Sequence, residues 1–159
     1  MTSEHSADAV VGVISDTHGT LDPRVAAVFD GVERILHAGD VGSADVLLEL
    51  ETIAPVAAVL GNTDRAIPGF ALGSTATIGI AGVNVLVTHE LHMSRIGHLL
   101  PGVGVIVSGH THIPSIDRHG GVLYLNPGAV FSSRLQSGQR TVAILELSRG
   151  LAVARIVEL

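Results

Sequence analysis

Ala9-Val10-Val11-Gly12-Val13-Ile14, followed at once by Ser15-Asp16-Thr17-His18, is the stretch whose reading decides the fold. Six apolar or small residues in a row are too few for an ordinary helix. Their β-branched character suits a strand buried on both faces. The run stops at a polar loop, and the pattern then repeats. Residues 34–38 (Arg-Ile-Leu-His-Ala) form a second short strand stopped by Gly39-Asp40, and residues 56–60 form a third that ends at Gly61-Asn62. Between them lie two helical spacings. Residues 21–30 have Asp22 as the expected cap and Pro23 at the first helical position, and residues 44–53 have Ser43 as cap. The first 65 residues thus read β-α-β-α-β, the signature of a parallel sheet.

Working outward, the second half is richer in strands. Residues 76–80 and 83–88 flank Ala81-Gly82, a hairpin turn. A short helix over 94–100 is stopped by Pro101-Gly102, and a buried strand over 103–107 ends at Ser108-Gly109. Further strands fall near 113–118 and at 122–125 about a Gly120-Gly121 turn, then at 141–147 and 151–157 about Ser148-Arg149-Gly150. This order predicts an α/β fold of two sheets packed face to face with helices outside. Residues 9–159 read as a single domain, preceded by a polar tail over 1–8 that has neither the basic start nor the apolar stretch of a secretory signal.

Composition narrows the chemistry. The 159 residues include no cysteine, which excludes a disulfide scaffold, a zinc ribbon, an iron–sulfur cluster and a thiol nucleophile. All nine basic residues are arginine, which excludes Schiff-base chemistry and a Walker-type phosphate loop. Mean hydropathy is +0.50, but no apolar stretch approaches the roughly 18 residues of a spanning helix. The expectation is a cytoplasmic protein with no membrane partner. A net charge of −6 with scattered arginines and four aromatic residues argues against a nucleic-acid platform. Against these exclusions stand nine histidines.

The histidines fall where the strands end. Asp16-Thr17-His18, Gly39-Asp40, Gly61-Asn62, Thr88-His89 and Gly109-His110-Thr111-His112 each follow a buried strand. Loops at the carboxyl ends of strands in such sheets line one crevice. Taken singly, each has a plain structural reading: a helix cap at Asp16, turns at Gly39-Asp40 and Gly61-Asn62, a core histidine at His89. Five coincidences are a poor account of all of them. His110 and His112, at i and i+2 in extended chain, would point to one side. Together two aspartates, one asparagine and four histidines suit borderline divalent metals, and seven ligands with one bridging are enough for two ions.

In this order the five blocks resemble those of the calcineurin-like metallophosphoesterase superfamily over essentially Val10 to Leu159. His37-Ala38-Gly39-Asp40, Gly61-Asn62-Thr63-Asp64 and Asn126-Pro127-Gly128 resemble its small bacterial and archaeal phosphodiesterase branch, whose fold the retromer subunit Vps29 shares. The resemblance implies a four-layer α/β/β/α sandwich of two mixed sheets. It also implies one metal held by Asp16, His18, His112 and a bridging Asp40, and a second held by Asp40, Asn62, His89 and His110. The ions expected are Mn²⁺ first, with Ni²⁺, Fe²⁺, Co²⁺ or Zn²⁺ as substitutes, the substrate a small phosphodiester, and the assembly a homodimer or homotetramer. Two such ions about 3.5–4 Å apart polarise phosphoryl oxygens and make a bridging hydroxide available for in-line attack. The other class of function open to this fold is a Vps29-like scaffold that binds metal without catalysis.

The sequence also departs from the family pattern. Thr63 stands where many larger relatives have a histidine that protonates the leaving group, which leaves Asp64 and His92 as candidate proton donors. The family's His-Gly-His block reads His89-Glu90-Leu91-His92. His37 is expected to orient a ligand through its ring N–H. His98 is expected on a helix surface, His5 and His119 in solvent, and Arg65 near a substrate phosphate or in a surface ion pair.

Overall fold

The computed structural model describes residues 7–131 and 139–159. The first strand, β1 (Ala9–Ile14), is followed by α1 (Val25–Val28), β2 (Arg34–His37), α2 (Ala44–Glu51) and β3 (Val56–Ala58). These three strands run parallel, with Val13 beside Leu36 and Leu36 beside Ala57. The chain then crosses to a second sheet through β4 (Thr75–Ile80), β5 (Val83–Thr88), α3 (Met93–Ile96), a 3-10 turn (Gly97–Leu99), β6 (Val103–Val107), β7 (Ser115–His119) and β8 (Val122–Asn126). It returns to the first sheet through β9 (Thr141–Ser148) and β10 (Leu151–Glu158). Among the described residues the sheets have the orders β10-β9-β1-β2-β3 and β4-β5-β6-β8-β7. Each is mixed: in the first the antiparallel β9–β10 hairpin lies beside β1, and in the second the parallel β5, β6 and β8 lie between antiparallel edge strands β4 and β7.

Burial shows the layers. Val11, Val13 and Leu36 of one sheet pack with Val85, Val87, Val105, Leu123 and Leu125 of the other to form the central core. On the outer face of the first sheet, Ile14, Ile35 and Ile144 meet Phe29 with Leu47 and Leu50 of α2. On the outer face of the second, Leu86 and Ile106 meet Ile96 and Leu99. The architecture is therefore the expected α/β/β/α sandwich. Both faces of β1 are covered, which is why its sequence lacks a polar alternation. Among the described residues no helix is long and apolar enough to cross a membrane.

The helices differ from the sequence expectation. Instead of a helix over 21–30, α1 is four residues long. The Asp22 carboxylate takes the Arg24 N–H at 2.9 Å and its guanidinium at 2.7 Å, so Asp22 closes a turn at Pro23-Arg24 rather than capping a long helix. α2 ends at Glu51, two residues early, and Ser43 makes no side-chain cap. The 94–100 helix is one turn of α-helix followed by one 3-10 turn. β7 starts at Ser115 rather than Ile113. Of the expected tail over 1–8, all but Ala7 and Asp8 lies outside the described residues, as does His5.

The hairpins follow their turn chemistry. Ala81-Gly82 and Arg149-Gly150 both have positive φ, 48° and 76° and then 50° and 78°. Two-residue loops of that geometry match the right-handed twist of the strands they join.

Candidate metal centre

The loops that leave β1, β2, β3, β5 and β6 meet at one edge of the sandwich. The hydrogen-bond ladder continues past the strands: Asp16 N–H donates to the Gly39 carbonyl at 3.0 Å and His18 N–H to that of Asp40 at 2.9 Å. In the second sheet, Gly109 N–H beyond β6 donates to the His89 carbonyl beyond β5 at 3.0 Å. Gly61 lies so close to Asp40 that a Cβ there would fall 2.1 Å from its Oδ1. Asp16, His18, Asp40, His110 and His112 all adopt left-handed backbone, with φ between 47° and 71°. This costs on the order of 1–3 kcal/mol for each non-glycine residue, and Asp and His tolerate it better than most. It also corrects one expectation: His110-Thr111-His112 is a bent loop, not extended chain. The two rings reach the centre on separate paths, stacking edge to face on His89 and His18 respectively.

The side chains of all seven expected residues come together. Asp16 is fully buried. Its Oδ2 accepts from the Ser15 hydroxyl at 2.6 Å and the His110 backbone N–H at 3.1 Å. Its Oδ1 faces Nε2 of His112 at 3.1 Å, His18 at 3.7 Å and His89 at 3.9 Å. Asp40 Oδ1 accepts the Thr63 N–H at 2.9 Å, and its Oδ2 faces His89 Nε2 at 3.3 Å and His18 Nε2 at 3.8 Å. Asn62 Oδ1 sits between His89 Nε2 at 2.9 Å and His110 Nδ1 at 3.1 Å.

Acceptor atoms converge at this centre. His89 Nδ1–H donates to the Ala38 carbonyl at 2.7 Å, so in the neutral ring Nε2 presents a lone pair. The atoms it faces are all oxygens, and only a proton or a metal cation reconciles acceptors that face acceptors. His18 Nε2 is buried with no hydrogen-bond partner. Two groups, Asp16-His18-His112 and Asp16-Asp40-His89, have ligand atoms all within 4.8 Å of one another. That spacing is close to twice the roughly 2.0–2.2 Å distance from a divalent ion to nitrogen or oxygen. The donor set fits divalent metal.

Electrostatics agree. Burial works against ionisation of Asp40, but the His89 ring and the Thr63 N–H outweigh it and hold the carboxyl well below the usual range. Burial likewise disfavours protonated His89, and the Asp40 and Asp16 carboxylates overcome it, raising the imidazole above its ordinary value. Without a metal, the proton is the cation this centre attracts.

Other expected residues take different places. Asp64 is engaged by the backbone. Its carboxylate accepts three backbone N–H groups, from Val41, Gly42 and Gly61 at 2.9–3.0 Å, and so ties the β2 loop to the β3 loop. His37 makes no hydrogen bond to an expected ligand. Gly39 N–H donates to its Nδ1 at 3.1 Å, its Nε2–H donates to Thr17 Oγ1 at 3.0 Å, and Thr17 donates to the Val41 carbonyl at 2.8 Å. Desolvation of this fully buried ring pushes its pKa down to about 3. His92 is half exposed and pairs with Glu90 at 2.7 Å. His98 and Arg65 are exposed, and His119 packs edge to face on Tyr124. The residues that sequence reading missed are Ser15 and Thr17. Their signal was only their position beside Asp16.

Two packed mixed sheets with carboxylates and histidines on the strand-end loops define a metallophosphoesterase-type fold. Residues 10–150 match the calcineurin-like phosphoesterase superfamily domain, and the chain belongs to that family. It is 38% identical to a probable metallophosphoesterase of Methanothermobacter thermautotrophicus over 79% of this chain and 80% of the relative. A probable metallophosphoesterase of Methanocaldococcus jannaschii is 36% identical over 76% of this chain and 67% of its own. Among solved structures, a novel archaeal phosphodiesterase superposes with TM-score 0.72 at 24% identity, covering 93% of this chain and 99% of that one. The Entamoeba histolytica Vps29 complexed with Zn²⁺ does so with TM-score 0.72 at 21% identity, covering 94% and 98%.

Proposed function

We propose that this chain is a metal-dependent phosphodiesterase that holds two divalent ions, Mn²⁺ by preference, and acts on small phosphodiesters. Asp16, His18, His112 and the shared Asp40 would hold one ion; Asp40, Asn62, His89 and His110 would hold the other. The observation that carries the reading is that Nε2 of the neutral His89 ring faces only oxygens, those of Asn62, Asp40 and Asp16, beside a buried His18 Nε2 that has no hydrogen-bond partner. When bound, such ions polarise a phosphoryl oxygen and bring a water toward deprotonation near neutral pH.

The chain's own groups prepare the site. Ala38 fixes the His89 tautomer, Ser15 and the His110 N–H take the second oxygen of Asp16, and Thr63 N–H takes that of Asp40. Each carboxylate thereby has one oxygen committed to the protein and one directed inward. With Asp64 engaged as a brace, the candidate donor to the leaving group is His92, held by Glu90 beside Asn62 and His89. A half-exposed imidazole is a weak commitment to acid catalysis, so diesters with good leaving groups, such as aryl esters, are the favoured substrates.

The test is hydrolysis of a panel of aryl and alkyl phosphodiesters with Mn²⁺, with Asp40→Asn and His110→Ala as controls. Turnover in the wild type, lost by about 100-fold or more in Asp40→Asn, supports the reading. Full activity in both variants, or none in the wild type with any divalent metal, overturns it; the latter favours the scaffold.

A further inference from the structure

The centre opens on two cavities. One, of about 450 Å³, lies beside Asn62 and His89 and has Arg95 and His98 on its wall. The other, of about 520 Å³, begins at His110 and follows the outer face of β7 and β8. The second is the more specific in composition. On that face Ile96 of α3 packs with Leu86 of β5 and Ile106 of β6, Tyr124 of β8 lies half-buried against the same cluster, and Asp117 and His119 of β7 beyond it are exposed; these last three side chains line the floor of the cavity. Leu91 and Met93, 44% and 48% exposed, stand as an apolar wall.

Each floor residue has a defined place. Tyr124 and Asp117 are direct cross-strand partners and project from the same face of the sheet. The Tyr124 ring meets His119 edge to face at 5.5 Å between centroids. Asn126 anchors the near end by donating to the Gly109 carbonyl at 3.0 Å and to Thr111 Oγ1 at 3.1 Å, on either side of His110. Tyr124 is two residues along β8 from Asn126, a displacement of about 7 Å. The sequence from the centre outward is therefore a site for phosphorus, a gap the length of a sugar, and an aromatic platform with a carboxylate at its side.

We propose that this groove seats the base of a nucleoside phosphodiester, with Tyr124 as its stacking surface, the Leu91–Met93 wall opposite, and Asp117 accepting hydrogen bonds from the base edge. The proposal rests on the phosphodiesterase reading and adds a substrate class to it. A carboxylate rewards a base that offers adjacent N–H donors, which favours guanine, since its N1–H and N2–H₂ lie side by side. The cavity's cationic candidates are histidines rather than arginines, so it is not built for a second phosphate, and its volume suits a single small molecule.

The test compares p-nitrophenyl esters that share one leaving group: guanosine 5′-phosphate p-nitrophenyl ester against methyl p-nitrophenyl phosphate, with Mn²⁺. Stacking on one aromatic ring predicts a kcat/KM advantage of about tenfold or more for the guanosine ester. The ratio of the two substrates falls toward one in Tyr124→Ala and by about fivefold in Asp117→Asn. A second readout needs neither metal nor turnover. Tyr124 is the sole tyrosine of a chain without tryptophan, so its fluorescence reports on the groove alone, and guanosine should quench it saturably. Hydrolysis of both esters with a ratio near one and no quenching by guanosine overturns the groove while leaving the phosphodiesterase reading intact. No hydrolysis of either ester overturns the activity, and quenching by guanosine then still shows a nucleoside site.

Discussion

Two residues show how tightly the centre is specified. Gly61 has no left-handed backbone to serve; it is required because its Cα lies against Asp40, and a methyl group would collide with Oδ1. Gly61→Ala should displace Asp40 while leaving the core untouched. A displacement of about 1 Å at a ligand costs about 100-fold in activity, measurable as initial rate with saturating Mn²⁺, beside an unchanged circular dichroism spectrum. Wild-type rates would show that the loop yields freely and that Asp40 is not held as described. Asp64 is the opposite case, a residue whose position in the asparagine block suggests chemistry and whose bonds show support. Asp64→Ala leaves three backbone N–H groups without their acceptor, one of them already open to water. We expect a loss of about 2 kcal/mol and a fall in Tm of about 4–8 °C, with the shape of the pH–rate profile retained. Disappearance of one limb of that profile would return Asp64 to proton transfer.

At the level of elements, most strands were legible because a strand buried on both faces announces itself as an unbroken Val/Ile/Leu run bounded by Gly, Asp or Asn, as at Val103–Val107. Helix α1 was not. The apolar spacing over 21–30 exists because Val25 and Phe29 must reach the core, but Asp22 spends its carboxylate on Arg24 and shortens the helix to one turn. The left-handed backbone at Asp16, Asp40 and His110 was equally invisible, since residue type permits that conformation without requiring it. The grouping of Asp16, His18, Asp40, Asn62, His89, His110 and His112 was readable from spacing, because topology alone delivers strand ends to one edge. The link between β1 and β2 through His37 and Thr17 has a measurable consequence. In the fold His37 titrates at about 3, against 6.5 for the free side chain. Below pH 6.5 the unfolded chain binds a proton that the folded chain refuses, so stability falls as pH drops from 6.5 toward 3. The slope contributed is up to about 1.4 kcal/mol per pH unit. Urea unfolding of metal-free protein between pH 4 and 7 should show it, and His37→Asn should flatten it whatever the variant's absolute stability. An unchanged slope would place the acid sensitivity elsewhere.

The whole molecule is a means of holding carboxylates and imidazoles together at the edge of two apolar sheets, and its stability should depend on what neutralises them. With no metal bound, Asp40 and Asp16 favour the protonated form of His89, so a metal that binds there must displace that proton. Binding to the folded chain alone adds about 2.7 kcal/mol at a hundredfold excess over Kd. For a domain of this size that is a rise in Tm of about 5–10 °C. The competition with protons gives the shift a sign in pH. It should be full near pH 8, diminish toward acid pH as His89, its pKa raised by the two carboxylates, holds its proton, and move in parallel with the rate of phosphodiester hydrolysis. Scanning calorimetry with and without Mn²⁺ at pH 5.5, 6.5 and 8 checks this, with Asp40→Asn as the variant that loses the shift at every pH. A Tm that rises equally with Mn²⁺ at all three values, or in Asp40→Asn as much as in the wild type, would mean that the ion binds outside this centre. The strand-end loops would then be held by protons and backbone hydrogen bonds alone.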